Sequence, residues 1–350
     1  MSHNAAMPRR GWNFQRLRSE SSYWRSCILI VAGHLDLFDW IGRRKKSSRD
    51  LAAHFGGSAA GWEIFLDALC GMGLMRKHGE QYANGVFAAR YLTAAGAISL
   101  LPAYDAWNIW GGLASALING RRPATQKPFA SDRNKAARLL HSLDLDAREI
   151  AFHLIKKLPL SRSRTLLDVG GGLGAFSIAF CRHYPRLRAT LVEHPRIFPL
   201  ARRAVGEAGM ARRVRVIGAD FSRHALPQGF DTIFLSNVLH AHSIAENHAL
   251  LLKLQRCLNP RGQLIVRDVF MSPQRTAPEW GALFSVQLLL HTPEGRCYAI
   301  DEIRAWLRQA GFSRIKGPFR SSPLPFDPDS ILIATNNDIM KPRARVRRGR

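Results

Sequence analysis

Apolar positions in the first hundred residues recur at helical spacing, whereas after Leu160 they gather into short runs alternating with helical stretches. In the first region, Cys27–Ile41 predicts a buried helix. Ser48 predicts the cap of a short helix carrying Leu51, Ala52 and Phe55 and stopping at Gly56-Gly57. Ser58 opens the next helix, with Trp62, Phe65, Leu66 and Leu69 on one face and Gly71 or Gly73 at its end. Leu74–Lys77 and Gln81–Tyr82, joined through His78-Gly79-Glu80, predict a small β-wing. Helix, short helix, helix, hairpin is the order of a winged helix. Further helices are expected over Ala94–Asn119 and Asn134–Leu158, with the proline-bearing stretch Gly120–Phe129 as the domain link.

Beyond Leu160, strands are predicted at Thr165–Val169, Ala189–Glu193, Val214–Gly218, Asp231–Ser236 and Gln263–Asp268. Helices follow the first through Arg182, the second near Phe198–Ala208 and the fourth over Ala245–Cys257. The turn Asn259-Pro260-Arg261-Gly262 introduces the fifth strand. Late strands near Ser313–Lys316 and Ile331–Thr335 flank a Pro-rich loop and suit an antiparallel edge. Alternating buried strands and helices imply a mostly parallel, doubly wound α/β sheet with helices on both faces. Ligands of such a sheet gather at the carboxyl ends of its strands, just after Val169, Glu193, Gly218, Ser236 and Asp268.

Composition narrows the class. The 350 residues suit two domains, and 46% apolar content allows a core without disulfides. Five scattered cysteines show no CxxC pair or zinc-type spacing, so no metal site is expected and a reducing cytoplasm is. The greasiest early run is broken by His34, Asp36 and Asp39 and is too short to span a bilayer. A net charge of +25 favours anionic partners, and part of it sits in a tail bearing Lys341, Arg343, Arg345, Arg347, Arg348 and Arg350, expected to be disordered. That tail suggests peripheral contact with an anionic membrane. The expected divisions are a winged-helix-like domain over 15–105, a helical connector over 106–160, a catalytic domain over 161–338 and the tail over 339–350.

The strongest local signal is Leu166-Leu167-Asp168-Val169-Gly170-Gly171-Gly172-Leu173-Gly174, a strand entering glycines and then a helix. Gly170, Gly172 and Ala175 also satisfy the dinucleotide fingerprint, with Glu193 near the distance of its ribose-binding acid. Asp168 argues against that reading, because a carboxylate at the loop would repel a pyrophosphate yet suit the ammonium of S-adenosyl-L-methionine. After the third strand, Asp220 could accept from an adenine amino group and Phe221 could pack on its ring. A glycine loop, a ribose acid and an adenine acid at successive strand ends point to S-adenosyl-L-methionine.

The chain resembles the plant-type small-molecule O-methyltransferases and their bacterial relatives, which act on caffeate, acetylserotonin, polyketides and carotenoid intermediates. The carrying stretches are LLDVGGGLG (166–174), LVEHP (191–195), GADF (218–221), FLSNVLHAHS (234–243), NPRGQLIVRDVF (259–270) and HTPEGRCYAIDEIRAWLRQAGF (291–312). The resemblance implies a Rossmann-like class I methyltransferase domain with a seven-stranded sheet. It also implies a homodimer held partly by the N-terminal winged-helix dimerisation domain. It places Gly170, Glu193, Asp220, Phe221 and Ser236 at cofactor positions, His240 on the general base and Asp268 on one of two acids that orient it. Three departures stand out: Ser236 replaces a frequent lysine, Ala241-His242 replaces Asp-Trp after the histidine, and Cys297 aligns with the second orienting acid.

Methyl transfer to a hydroxyl needs an oxygen aligned behind the methyl and a base to take its proton. His240 lies just past the fourth strand, where Asp268 could accept its other ring proton and fix the tautomer. His242 is a weaker substitute, and Cys297 reads as a buried filler rather than a nucleophile. A substrate pocket is expected to draw on Trp107, Trp110, Phe284, Leu288 and His291, suiting a small lipophilic hydroxylated acceptor of aromatic, quinone-like, polyketide or isoprenoid type. Two alternatives compete: a nucleic-acid methyltransferase or winged-helix regulator, and a relative that binds the cofactor without transferring its methyl. Against the first, the presumed recognition helix Ser58–Cys70 carries Glu63 and Asp67 but no Lys or Arg.

Overall fold

The computed structural model describes residues 23–93, 107, 109–119, 133–324 and 328–335. The chain divides into two compact units, residues 1–107 and 108–350. The expected link Gly120–Phe129, the helix start at Ala94 and the basic tail lie outside the described residues.

In the first unit the order is α1 (Trp24–His34), α2 (Leu37–Ile41), β1 (Lys46–Ser47), α3 (Ser48–Phe55), α4 (Ala59–Gly71), β2 (Met75–His78), β3 (Gln81–Asn84) and α5 (Val86–Tyr91). The single helix expected over Cys27–Ile41 is two. Asp36 sits at φ 49°, a left-handed conformation that short polar side chains tolerate, and the chain turns there. Burial follows the break, since α1 buries only Ala32 while α2 buries Leu37, Phe38 and Ile41. The cap of α3 is Ser47, not Ser48, because only Ser47 has an acid three residues on. Its Oγ accepts from the Asp50 backbone N–H at 3.2 Å, and the Asp50 carboxylate accepts from the Ser47 N–H at 2.7 Å. Ser47→Ala should therefore cost about 1 kcal/mol in denaturant unfolding of this unit.

Ser58 caps α4 as expected, accepting from the Gly61 N–H at 3.1 Å. Leu66 and Leu69 of that helix are fully buried against Leu37, Phe38, Leu51 and Tyr82. The wing is longer than expected, and β1 adds a third antiparallel strand in the order β1-β3-β2. The short helix α5, unmarked by the apolar pattern, follows the wing.

The second unit contains α6 (Leu113–Asn119), α7 (Arg133–Leu154), β4 (Thr165–Val169), α8 (Ala175–His183), β5 (Arg188–Glu193), α9 (Phe198–Glu207) and β6 (Val214–Gly218). These are followed by β7 (Phe230–Ser236), a 3-10 turn (Leu239–Ala241), α10 (Ile244–Cys257), β8 (Leu258–Asp268), α11 (Glu279–His291), α12 (Ile300–Gln309), β9 (Arg314–Arg320) and β10 (Ser330–Thr335). Helix α7 closes at Leu154, four residues before the expected end, and backbone turns carry the chain to Leu158 and Pro159.

The seven strands form one sheet in the order β6-β5-β4-β7-β8-β10-β9. Its first five are parallel, and β9 and β10 make the expected antiparallel edge. The expected turn at Asn259–Gly262 falls inside the bounds of β8. There Arg261 has φ 63°, and the partner of β7 jumps from Leu258 opposite Phe230 to Gln263 opposite Thr232. One apolar layer packs α10 and α12 on the sheet, through Leu250, Leu251, Leu254, Trp306 and Leu307. A second packs α7, α8 and α9 on the opposite face, through Leu154, Phe176, Phe180, Ala201 and Val205. The order reverses between β4 and β7, so a crevice opens where those two strands end.

Candidate active site

Three strand ends converge on the glycine loop. At the end of β4, Gly170 and Gly172 adopt φ 68° and 57°, which only glycine takes without strain. A Cβ on Gly170 would lie 3.0 Å from Val238 Cγ2 and 3.6 Å from Phe221 Cε1, so the loop passes close beneath both side chains. The Cβ position of Gly172 has no atom within 4 Å, so bare backbone borders open space there.

Asp168 does not face that space. It is 1% exposed, its carboxylate accepts from Ser177 Oγ at 2.6 Å, and a Cβ on Gly171 would stand 2.7 Å from it. Burial first, and the Glu193 charge after it, push its carboxyl up to about 7 against the opposing Ser177 hydrogen bonds. The side chain braces the loop from beneath by tying β4 to the first turn of α8. The charge argument that singled it out in the sequence required an ionised, accessible group.

Glu193, at the end of β5, accepts from the Gly172 N–H at 2.8 Å and the His194 N–H at 2.7 Å. Burial raises its carboxyl above the usual range despite those bonds. Beyond β6, Asp220 accepts from the Ser222 N–H at 3.0 Å, and its own N–H donates to His224 Nδ1 at 3.0 Å. Lys253 of α10 secures this loop by donating to the carbonyls of Phe221, Ser222 and His224 at 2.8, 3.0 and 3.2 Å. The Phe221 ring sits 5.6 Å from the His242 ring in an edge-on arrangement. Ser236, last residue of β7, accepts from Arg267 Nη1 at 3.1 Å.

His240 stands on the 3-10 turn four residues past Ser236. Its Nδ1 lies 2.7 Å from Asp268 Oδ1, and the other carboxylate oxygen approaches the His240 N–H at 3.4 Å. The His240 side chain is 12% exposed, and burial by itself would lower its pKa. The charge and hydrogen bond of Asp268, with the charge of Asp329, outweigh burial and hold it above the ordinary 6.5. Two residues on, burial wins and His242 is pushed down. The two neighbouring histidines are thereby pushed in opposite directions, His240 up and His242 down.

The turn carrying His240 is held by its main chain. Asn247 Nδ2 donates to the carbonyls of Leu239 and His242 at 2.9 and 3.3 Å, and the Tyr298 hydroxyl donates to the His242 carbonyl at 2.5 Å. Gly295 packs so closely on the His240 carbonyl that a Cβ there would collide with it. Phe284 of α11 meets the His240 ring edge-on at 5.1 Å, and Trp280, one turn earlier, lies 4.7 Å from Phe284.

The residues expected to line a pocket divide. Phe284 is beside the histidine. Leu288 is 5% exposed in a cluster with Val269, Met271 and Cys297, behind Phe284. His291 is turned away at the exposed end of α11, its Nδ1 2.8 Å from the Gln287 carbonyl. Trp107 belongs to the first unit, where it lies 5.8 Å from Tyr23, and Trp110 is a half-exposed residue of the second. Cys297 is 2% exposed, and burial pushes its thiol up to about 12, so it is a neutral filler. Trp280 escaped the sequence reading, although its position one helical turn from Phe284 marked it. Asn247 lay outside every motif the sequence singled out, and Gly295 and Tyr298, though within 291–312, were not singled out individually; each meets the turn at its main chain. Among the described residues there is no cluster of His, Cys, Asp and Glu that could hold a metal, and no helix long and apolar enough to cross a membrane.

Five parallel strands, a glycine loop at the reversal of strand order and acids at successive strand ends define a class I methyltransferase fold. A model of the O-methyltransferase domain matches residues 127–313, and one of the O-methyltransferase dimerisation domain matches residues 18–94. A 3-hydroxy-5-methyl-1-naphthoate 3-O-methyltransferase from Streptomyces sahachiroi is 29% identical over 317 residues, covering 86% of this chain and 89% of its own. Mouse acetylserotonin O-methyltransferase is 30% identical over 329 residues, covering 85% and 84%. The structure of human N-acetylserotonin methyltransferase in complex with SAM superposes with a TM-score of 0.79 at 21% identity, covering 95% of this chain and all of that one. The chain belongs to the O-methyltransferase family, and it is an O-methyltransferase.

Proposed function

We propose that this O-methyltransferase moves a methyl group from S-adenosyl-L-methionine to a hydroxyl of a small, flat, largely apolar acceptor, with His240 as general base. The observation that carries the reading is the 2.7 Å His240–Asp268 contact at the carboxyl edge of the sheet, facing the aromatic pair Phe284 and Trp280. The glycine loop fits the cofactor, since a side chain at Gly172 would project into the open space its backbone borders. In this reading Glu193 accepts from ribose hydroxyls, Asp220 accepts from an adenine amino group and Phe221 packs on the ring; the Glu193–Gly172 contact and the nearness of Phe221 to Gly170 support it. When bound, S-adenosyl-L-methionine supplies an electrophilic methyl on a sulfonium.

The chain's own part is positioning and proton transfer. Asp268 Oδ1 accepts from Nδ1–H and fixes the tautomer with Nε2 unprotonated, available to take the acceptor's hydroxyl proton. The imidazolium so formed is stabilised by the same carboxylate. Aromatic hydroxyl acceptors are supported by the activities of the naphthoate and acetylserotonin O-methyltransferase relatives and by the ring wall of Phe284 and Trp280. The dimerisation-domain match supports a homodimer. Contact of the basic tail with an anionic membrane rests on its charge.

Calorimetric titration of the protein with S-adenosyl-L-methionine, S-adenosylhomocysteine and NAD tests the cofactor assignment. Binding of the two adenosyl ligands alone is expected, weakened about tenfold or more in Asp220→Ala. Binding of NAD alone would return the glycine loop to its dinucleotide reading.

A further inference from the structure

Arginines gather at the edge of the sheet opposite the glycine loop, where the parallel strands begin. Arg164 precedes β4, Arg188 opens β5, Arg213 precedes β6, Arg261 sits at the register jump early in β8 and Arg314 opens β9. The register lines them up: Thr165 pairs with Arg188, Ala189 with Val214, Gln263 with both Thr232 and Thr335, and Thr335 with Arg314. Among the described residues at these strand ends only Asp231, in β7, is an acid. Helices on both faces of the sheet end at the same edge and bring exposed cations in their last turns, Arg182 of α8 on one side and Arg256 of α10 and Arg308 of α12 on the other. The basic stretch 341–350 follows β10, whose last residue Thr335 lies on this edge, and the six residues to Lys341 span at most about 22 Å.

These charges are oriented but not cancelled. Arg182 Nη2 donates to the Ala208 carbonyl at 2.8 Å, Arg188 Nη1 to the Arg212 carbonyl at 3.1 Å and Arg213 Nη1 to the Pro185 carbonyl at 2.9 Å. At the carboxyl edge cations meet carboxylates instead, Arg267 with Asp329 at 2.7 Å and Arg275 with Glu302 at 2.6 Å. Glu207, at the end of α9, is engaged by Arg203 at 2.7 Å. Neighbouring strands are about 5 Å apart, inside one Debye length at physiological ionic strength, so the fields of the row add. Glu193 stands at the other end of the strand that Arg188 opens, about 17 Å away and roughly two Debye lengths off, so the acids of the catalytic edge do little to offset them.

We propose that the amino-terminal edge of the catalytic unit is a docking face for an anionic lipid bilayer, holding the unit with its glycine loop and dyad on the side away from the lipid. The layout of the cations selects the partner. They occupy three layers, helix ends on both faces with the sheet between, across seven strands that span about 30 Å. A plane of headgroups meets such an array throughout, whereas one nucleic-acid backbone would follow a single line of it. A second copy docked by two-fold symmetry would set like charges against each other. The inference deepens the tail contact proposed above by giving it a folded face alongside, and it is independent of the base assignment.

Co-sedimentation of the full-length protein with phosphatidylcholine vesicles, and with vesicles that also contain phosphatidylserine, tests this at physiological ionic strength. Binding to the anionic vesicles alone is expected. Arg164→Gln/Arg186→Gln/Arg212→Gln/Arg314→Gln, four exposed positions at the edge, should weaken it about 30-fold or more, since each cation near such a surface contributes about fivefold. Lysine at the same four positions should keep wild-type binding. In the first unit, Arg43→Gln/Arg44→Gln/Lys45→Gln/Arg49→Gln removes the same net charge and should weaken binding by no more than about threefold. An equal fall in that control, an edge variant that binds like wild type, or no preference for anionic vesicles overturns the proposal. An edge variant that binds like wild type while removal of residues 341–350 abolishes binding would leave the tail contact standing without the face. Binding to a DNA duplex but not to vesicles, lost in the edge variant, would overturn the lipid and make a polynucleotide the occupant. Should the fourfold variant fail to melt cooperatively, Arg186→Gln/Arg212→Gln alone is required to weaken vesicle binding about tenfold.

Discussion

Replacing His240 with alanine is expected to lower kcat by about 100- to 10,000-fold, the range spanned by a positioned general base. The loss should fall on kcat rather than on cofactor affinity, because His240 is engaged with Asp268 and Phe284 and not with the glycine loop. An unchanged kcat with an acceptor that the wild-type protein methylates would refute the role.

The pH dependence has a definite sign. With its pKa held above 6.5, His240 is a base only as pH rises through that raised value, so the rate is lost on the acid side. Stability runs the other way. The folded state binds the imidazole proton more tightly than the unfolded chain, so this contribution is complete below the unfolded pKa and fades as pH rises through the folded one. His240→Ala should therefore lose more thermal stability, relative to wild type, at pH 5.5 than at pH 8.5. Matched melting curves at the two pH values check this.

The second large effect is expected at Gly170. Gly170→Val forces a β-branched residue into φ 68° and drives its Cβ to 3.0 Å from Val238 Cγ2, beside Phe221. Calorimetry with S-adenosylhomocysteine should detect no binding, a loss of about 100-fold or more, because the loop must shift at the end of β4, where the cofactor is proposed to bind. Thermal melting separates this from global failure. Strain confined to one residue costs about 1–3 kcal/mol, which a domain of this size survives. Wild-type affinity in the folded variant would remove the glycine loop from the binding site.

What the sequence made legible were features with short periods. The five parallel strands and the antiparallel pair follow from apolar runs and their turn residues, and each lies within a few residues of its expected place. The misplaced features were those decided by a single backbone conformation or a tertiary contact. Asp36 splits the first helix because its φ is positive, which composition does not reveal. Ser47 caps in place of Ser48 because the acid at Asp50 is in register with one and not the other. The His240–Asp268 contact was legible because Asp268 ends a predicted strand and His240 stands four residues past the end of another. The buried side of Asp168 was not, since a strand pattern gives alternation but not which face a terminal residue closes. Arg267 and Asp329 are 62 positions apart, and nothing in either local context pairs them.

The turn that bears His240 is anchored almost wholly through its carbonyls, by Asn247, Tyr298 and the close packing of Gly295. Side chains at 241 and 242 are thereby released from the duty of keeping the base in place. The departures at Ala241 and His242 therefore leave the anchoring of the base intact.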